Sequence, residues 1–237
     1  MSLPKLNTPE YRLTIPSSDE EIKYRPFLVA EEKLLLIAQE TGDDSSMLRA
    51  VKDLVEKCTF GEVDVEHMPL FDMEYLFLNI RAKSVGETAK VKVKCPDDEE
   101  IEVEVEIFLP DVKVQIGDDH TNKIQLTDSM VLEMTYPRFD TVTSIKKQFP
   151  DATDIEMTFH VINTTMLTLF DGEEEYDMMD HSHTERMDFI DQMTQQQFKK
   201  MQIFFDTSPK LTHTINVTNP KTKKKGKYKL EGIAAFF

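Results

Sequence analysis

Asp177, Asp180, His181, His183 and Glu185 come nearest, by type and spacing, to a chemical site. Two imidazoles one residue apart among carboxylates supply the nitrogen and oxygen donors that a transition metal takes. His-x-His, however, puts both rings on one face only in a strand. The residues just beyond read as a helix, so a third ligand would have to come from elsewhere in the chain. A solvated acidic loop is the preferred reading, with a metal-dependent enzyme using His181 and His183 kept as an alternative; no metal, cofactor or catalytic residue is assigned. His160 falls beside the apolar stripe of its helix, as a packing or interfacial histidine does, and His67, His120 and His213 stand apart.

Nucleophile patterns are missing: there is no Gly-x-Ser-x-Gly elbow, no Walker sequence and no Gly-x-Gly-x-x-Gly. Cys58 falls on the apolar stripe of a helix, and Cys95 falls at a hairpin tip among carboxylates, whose charge raises a thiol's pKa. The residue chemistry therefore favours a binding protein over an enzyme.

Charge points the same way. Lys+Arg of 28 against Asp+Glu of 44 gives a net charge of −16, so most of the surface repels phosphate and nucleic acid is not the expected partner. The distribution is uneven. Residues 151–193 hold twelve acids and one base, Arg186, together with Met157, Met166, Met178, Met179, Met187 and Met193. Acid plus flexible thioether suits a surface that accepts amphipathic helices with basic flanks, and equally a helical core with a solvated acidic exterior. Residues 210–229 hold seven lysines and no acid, a positive lobe for an acidic neighbour. The candidate partner-binding residues are Lys221, Lys223, Lys224, Lys225 and Lys227 in that lobe, Met178 and Met179 in the acidic stretch, and Tyr24, Arg25, Pro26 and Phe27 near the start. In the last group Pro26 lacks a ladder donor and forces Arg25 extended, which predicts a rigid edge with an exposed Arg25.

These residues must be carried by local elements. Tyr11, Leu13 and Ile15 alternate with polar residues, as do Ile22 and Tyr24, which predicts a hairpin pairing Ile15 with Ile22 and Leu13 with Tyr24. Three helices follow, over Glu31–Gly42, over the run Met47 to Cys58, and after Pro69 to near Gly86. Lys90, Lys92 and Lys94 alternate with Val91, Val93 and Cys95, and Glu102, Glu104 and Glu106 alternate with Ile101, Val103, Val105 and Ile107. Antiparallel pairing of Cys95 with Ile101 sets Lys94 opposite Glu102, Lys92 opposite Glu104 and Lys90 opposite Glu106, with Asp97 to Glu100 as an acidic loop. Short alternating pieces extend the β region to Thr135. Beyond Pro137, Phe139 to Phe149 reads as a helix, Ile155 to Leu169 as another ending at Gly172, and two more carry Met187 to Met193 and Phe198 to Phe205. A last hairpin joins Leu211–Val217 to Lys227–Ile233.

The chain of 237 residues, 40% hydrophobic with 15 Phe, 13 Met and 6 Tyr, can build a core. Its class is α+β: an N-terminal hairpin, helices and an antiparallel β-hairpin, then a mainly helical C-terminal part closed by a β-hairpin. A soft boundary is set near residue 135, giving an α+β part over 1–135 and a mainly helical part with the Lys-rich hairpin over 136–237, or one domain throughout. No run approaches 18 apolar residues, and Met1–Pro16 has neither the basic nor the apolar block of a signal peptide, so no membrane partner and a cytoplasmic location are expected.

Tyr24-Arg25-Pro26-Phe27-Leu28-Val29 with Glu31-Glu32-Lys33-Leu34-Leu35-Leu36-Ile37-Ala38, then Tyr75-Leu76-Phe77-Leu78-Asn79-Ile80-Arg81-Ala82-Lys83-Ser84-Val85-Gly86-Glu87, resemble the T4-type bacteriophage baseplate hub family. The Cys95-Pro96-Asp97-Asp98 hairpin fits the same pattern, and the resemblance is most specific over about residues 1–110. It implies a non-catalytic subunit or assembly factor of the central hub of a contractile tail, whose partners are other baseplate and tail proteins. Two roles stay open: a subunit that remains in the baseplate, or a chaperone for another tail protein, such as the tape-measure protein, that then leaves. The implied location is the host cytoplasm during assembly, and the virion tail baseplate if the protein is retained.

Overall fold

Strict alternation of apolar and charged residues makes the longest strands. The computed structural model describes residues 6–42 and 44–236. In it β3 (Thr88–Cys95) and β4 (Asp98–Phe108) pair with Lys94 opposite Glu102, Lys92 opposite Glu104 and Lys90 opposite Glu106, the register that the alternation predicts. Ala89, Val91, Val93 and Cys95 are buried, and the lysines between them are exposed. At the tip the register shifts between Lys94 and Cys95, so that Cys95 faces Asp98 rather than Ile101. Asp98 to Glu100 consequently continue the strand instead of forming a loop, and Pro96-Asp97 make the turn.

Upstream, β1 (Tyr11–Thr14) and β2 (Glu21–Tyr24) form a two-stranded sheet with Leu13 opposite Ile22 and Tyr11 opposite Tyr24. The predicted register is shifted by two residues. A shift of two keeps every side chain on its face, which is why Ile22 and Tyr24 are buried as expected while the partners differ. Ile15 falls in the turn, donating to Glu20 O and accepting from Asp19 N–H. Helices α1 (Val29–Thr41), α2 (Asp44–Cys58) and α3 (Leu70–Ser84) follow. Of these α3 is buried on several sides, through Phe71, Met73, Leu76, Phe77, Leu78, Ile80 and Ala82, as the central helix of a core should be. It also buries Asp72, whose carboxylate accepts the Ser17 N–H at 3.2 Å and whose pKa is pushed up by burial.

The C-terminal hairpin joins this same core. β10 (Lys210–Thr218) pairs on one side with β11 (Lys225–Glu231) and on the other with the short β5 (Lys113–Gln115), Leu211 lying opposite Val114. Leu211, Ile215, Val217 and Leu230 pack in one cluster with Leu78 and Ala82 of α3 and with Val91, Val93 and Ile107 of the β3–β4 hairpin. The chain thus divides into two compact units, Met1–Gln115 with Lys210–Phe237, and Ile116–Pro209. The boundary near 135, with the hairpin assigned to the second part, differs from this division because strand pairing across so long a separation leaves no mark in local composition.

In the second unit β6 (Lys123–Gln125), β7 (Met130–Met134), β8 (Met166–Asp171) and β9 (Glu174–Asp177) form an antiparallel sheet in sequence order. Helices α4 (Phe139–Gln148), α5 (Asp154–Thr165), α6 (His183–Asp191) and α7 (Gln195–Thr207) complete it. Three of them start at reciprocal caps, Thr153 with Glu156, Ser182 with Glu185 and Thr194 with Gln197. Expected as one helix to Gly172, residues 154–169 instead change from helix to strand after Thr165. Met166, Leu169 and Ile162 satisfy helical spacing, but Met166-Leu167-Thr168-Leu169 also alternates, and pairing Leu169 with the fully buried Leu132 decides for the strand. Beyond residue 135 the four helices thus share this part with the short β8 and β9 before the closing hairpin, and the chain as a whole is mixed α+β. No helix among the described residues is long and apolar enough to cross a membrane.

If burial holds the β3–β4 hairpin and its charge ladder sets only register, Ile107→Ala should cost roughly 2–5 kcal/mol. Lys92→Glu should cost less than about 1 kcal/mol. Urea melts of the two variants measure both, and a Lys92→Glu loss equal to that of Ile107→Ala would reverse the assignment.

Candidate functional site

The lysine lobe is the candidate surface that the structure builds most firmly. Asn219, fully buried at the end of β10, accepts the N–H groups of Lys221 (2.8 Å) and Thr222 (3.1 Å) on its side-chain oxygen. Its backbone N–H donates to Lys224 O and its carbonyl accepts from Lys223, which takes the left-handed conformation at φ 60°. Asp97, at the tip of the β3–β4 hairpin, accepts from Asn219 Nδ2 at 3.0 Å and from Thr222 Oγ1 at 2.7 Å. The same tip packs Pro96 against Gly226 so closely that a Cβ there would meet Pro96 Cγ at 2.8 Å. The turn is thereby pinned, and Lys221, Lys223, Lys224, Lys225 and Lys227 are all exposed. Hydrogen bonds from Thr222 and Asn219 hold the Asp97 carboxyl below the usual carboxylate range. Sequence reasoning missed Asp97, Asn219 and Thr222. Asn219-Pro220 signals a turn, but nothing local signals a partner at Asp97.

The Tyr24–Phe27 segment serves the fold. Tyr24 and Pro26 are buried and Phe27 is half-buried. Burial pushes the Tyr24 hydroxyl up to about 12. Arg25 is not the exposed group that the sequence led us to expect. Its guanidinium pairs with Glu31 at 3.0 Å with both side chains largely covered, donates to Pro26 O at 2.9 Å, and lies 3.8 Å from the Cys58 sulfur. Burial pushes the Glu31 carboxyl up, but Arg25 and the Leu28 N–H outweigh it and hold the group below its ordinary value. The methionines divide likewise. Met178 is buried in the second unit's core with Met166, whereas Met179 is exposed, with Arg186 Nη1 3.6 Å from its sulfur.

The histidines do not gather as their spacing suggests. His183 Nε2 lies 3.1 Å from Nδ1 of His160, and Phe149 stacks on His160 at 3.8 Å between ring centroids. Burial, followed by His160 and Arg186, lowers the His183 pKa, and the adjacent backbone carbonyl accepts from buried Asn163. Among the described residues no three His, Cys, Asp or Glu side chains are placed to hold a metal. His120 has both ring nitrogens occupied, by Thr207 Oγ1 at 2.9 Å and Tyr136 Oη at 2.8 Å. Burial pushes the Cys58 thiol up to about 11, and burial with Asp97 and Asp98 raises that of Cys95. Raised thiol pKa values oppose a nucleophilic role.

A second surface lies between α5 and α7, a groove of about 650 Å³ lined by Ile155, Phe159, Phe198, Phe205 and Asp206, with Phe159 and Phe198 stacked at 5.3 Å. Ile155 is 72% exposed at its edge. Its signal in the sequence is apolar spacing on two helices, which is indistinguishable there from core.

Comparison with known proteins gives one finding. The family model described as T4 bacteriophage base plate protein matches residues 8–237, which spans both compact units. Among curated proteins and solved structures nothing matches.

Two outcomes test the geometry. Arg25→Ala leaves Glu31 covered and without its cation, and should cost about 3 kcal/mol, whereas the exposed Arg12–Glu21 pair should give less than about 1 kcal/mol in Arg12→Ala. Because the Glu31 pKa is depressed by folding, the Arg25 contribution is present above the unfolded value of about 4.3 and disappears as pH falls through the folded one. Equal losses in the two variants at pH 7 would contradict it. For the lysine turn, Asp97→Ala should raise amide hydrogen exchange at Lys221 to Gly226 and leave β3–β4 protected. The Asp97 pKa is likewise depressed, so protection should persist from pH 7 down to about 4 and be lost only below. Unchanged exchange in Asp97→Ala would show that the turn holds without the clamp.

Proposed function

We infer the role of the protein from the family to which it belongs, that of the T4 bacteriophage base plate protein. The reading is a non-catalytic baseplate hub subunit or hub assembly factor that acts through protein–protein contacts while a contractile tail is built. The observation that carries it is the extent of the match: residues 8–237 include both units, so the base plate assignment covers the whole architecture rather than one borrowed module. The internal chemistry agrees. Two sets of covered ionisable groups, Arg25 with Glu31 and His120 between Thr207 and Tyr136, are held in structural pairings, and both thiols are pushed away from reactivity. The surface offered to partners is the pinned lysine turn, Lys221 to Lys227, with Met179 a further exposed group.

The α5–α7 groove favours a second reading, a chaperone that holds an amphipathic helix, such as one from the tape-measure protein, and departs before the virion is complete. Residence separates the two. Mass spectrometry of purified virions should find the chain in stoichiometric amount if it is a hub subunit and should miss it if it is a chaperone. Both readings place it in the host cytoplasm during assembly, and the first also in the tail baseplate.

Infection by phage lacking the protein should accumulate DNA and heads while tails or baseplates fail to form, and expression in trans should restore them. Normal contractile tails made without it would refute the role.

A further inference from the structure

Exposed aliphatic side chains are concentrated on one helix. Leu28, Val29, Leu34, Leu36 and Ile37 are each between 45% and 80% exposed, and no other ten-residue stretch of the described chain leaves more than two large apolar groups so uncovered. They belong to α1 and its N-terminal flank, and within α1 only Glu31 and Ala38 are buried. At about 3.6 residues per turn, Lys33, Leu36, Ile37 and Glu40 share the side of the helix that points away from that buried pair. Lys33 and Glu40 are exposed too, and among the described residues neither forms an ion pair. The two aliphatics lie midway between these opposite charges. Beside them the apolar surface continues, since Leu36 is one wall of a cavity of about 460 Å³ that Met47, Phe77 and Val85 also line.

Such a face is its own complement. When a second α1 is turned end over end about the midpoint of Leu36 and Ile37, Leu36 of one copy meets Ile37 of the other, and Lys33 of each comes level with Glu40 of the other. A parallel, in-register arrangement would set lysine against lysine and glutamate against glutamate. We propose that α1 is the seat of a two-fold homodimer, in which two copies pack antiparallel through Leu36 and Ile37 and are held in register by two Lys33–Glu40 pairs. The inference deepens the protein–protein reading above by naming a partner, a second copy of the chain, and rests on it. The apolar centre supplies the attraction, because 28 bases against 44 acids make two copies repel elsewhere. With 13 residues α1 is about 20 Å long, so the contact is smaller than a standard interface and the dimer is of micromolar strength. A lipid surface suits the helix less well, since Glu31, Glu32 and Glu40 stand against Lys33 alone, whereas helices that lie on lipid are rich in Lys and Arg.

Sedimentation equilibrium of the full chain, over micromolar to hundreds of micromolar concentrations, tests this. Wild type should pass from monomer to dimer. Leu36→Gln combined with Ile37→Gln, which keeps good helix formers at both positions, should weaken association at least roughly tenfold. Lys33→Glu alone and Glu40→Lys alone each place like charges at both ends of the contact and should likewise weaken it at least roughly tenfold. An equimolar mixture of these two charge variants brings opposite charges together again at both ends, as does one chain carrying both changes, and each should regain the wild-type association. Because all four positions are exposed, the variants should melt within about 3 °C of wild type at a concentration where the protein is monomeric. Should the glutamine pair melt lower, the charge variants and their mixture carry the test. A wild type that stays monomeric at hundreds of micromolar, charge variants that associate unchanged, or a mixture that fails to recover would overturn the proposal. So would wild-type binding of phosphatidylcholine vesicles that the glutamine pair loses while its dimerisation is unaltered. Tail formation in infected cells is a separate readout, so failure here leaves the base plate role standing, and failure there leaves these sedimentation results interpretable.

Discussion

The fold depends on one long-range pairing, that of β10 with β5, which sets Leu211 opposite Val114. A three-residue strand has backbone donors and acceptors that its own neighbourhood leaves unmatched, and β10 supplies their partners. The pairing returns the C-terminal hairpin to the core of the first unit, where Leu211, Ile215 and Val217 meet α3 and the β3–β4 hairpin. Residues 116–209 are thereby inserted between two strands of one sheet. Such insertions are tolerated because closure entropy rises only about 0.6 kcal/mol with each doubling of loop length. Here the insertion also has a core of its own, around Leu132, Met166 and Phe204.

From that return follows the clamp at the lysine turn. Only when β10 lies in the first unit can Asn219 reach Asp97, and only then are two hairpin tips far apart in sequence joined by side-chain hydrogen bonds. Charge is used in contrasting ways on the same unit. Arg25 and Glu31 are covered, hydrogen-bonded and bound to packing, while Lys221 to Lys227 are exposed and free of ion pairs among the described residues. Covered pairs constrain conformation because separating them strands a charge; exposed ones cost little and remain available to a partner.

Much was legible from the amino acids alone. The lysine and glutamate ladder of β3 and β4 determined its own register, since a slip of one residue would bury charges. The hub-like run from Tyr24 to Glu87 carried a family resemblance, and the family match agrees at the level of a base plate protein. Those signals are local: each needs only a few consecutive residues and the period of a strand or helix. What the tertiary structure alone decided involves residues that meet from far apart. Leu132 drew Met166 to Leu169 out of a helix and into a sheet; Glu31 took the Arg25 that sequence placed in solvent; the core took Met178; His160 took His183 away from a supposed metal cluster; and Asp97 pinned a turn more than a hundred residues later. Periodicity states which face of an element is apolar, but burial and pairing depend on what lies across that face, and this exists only once the chain has folded.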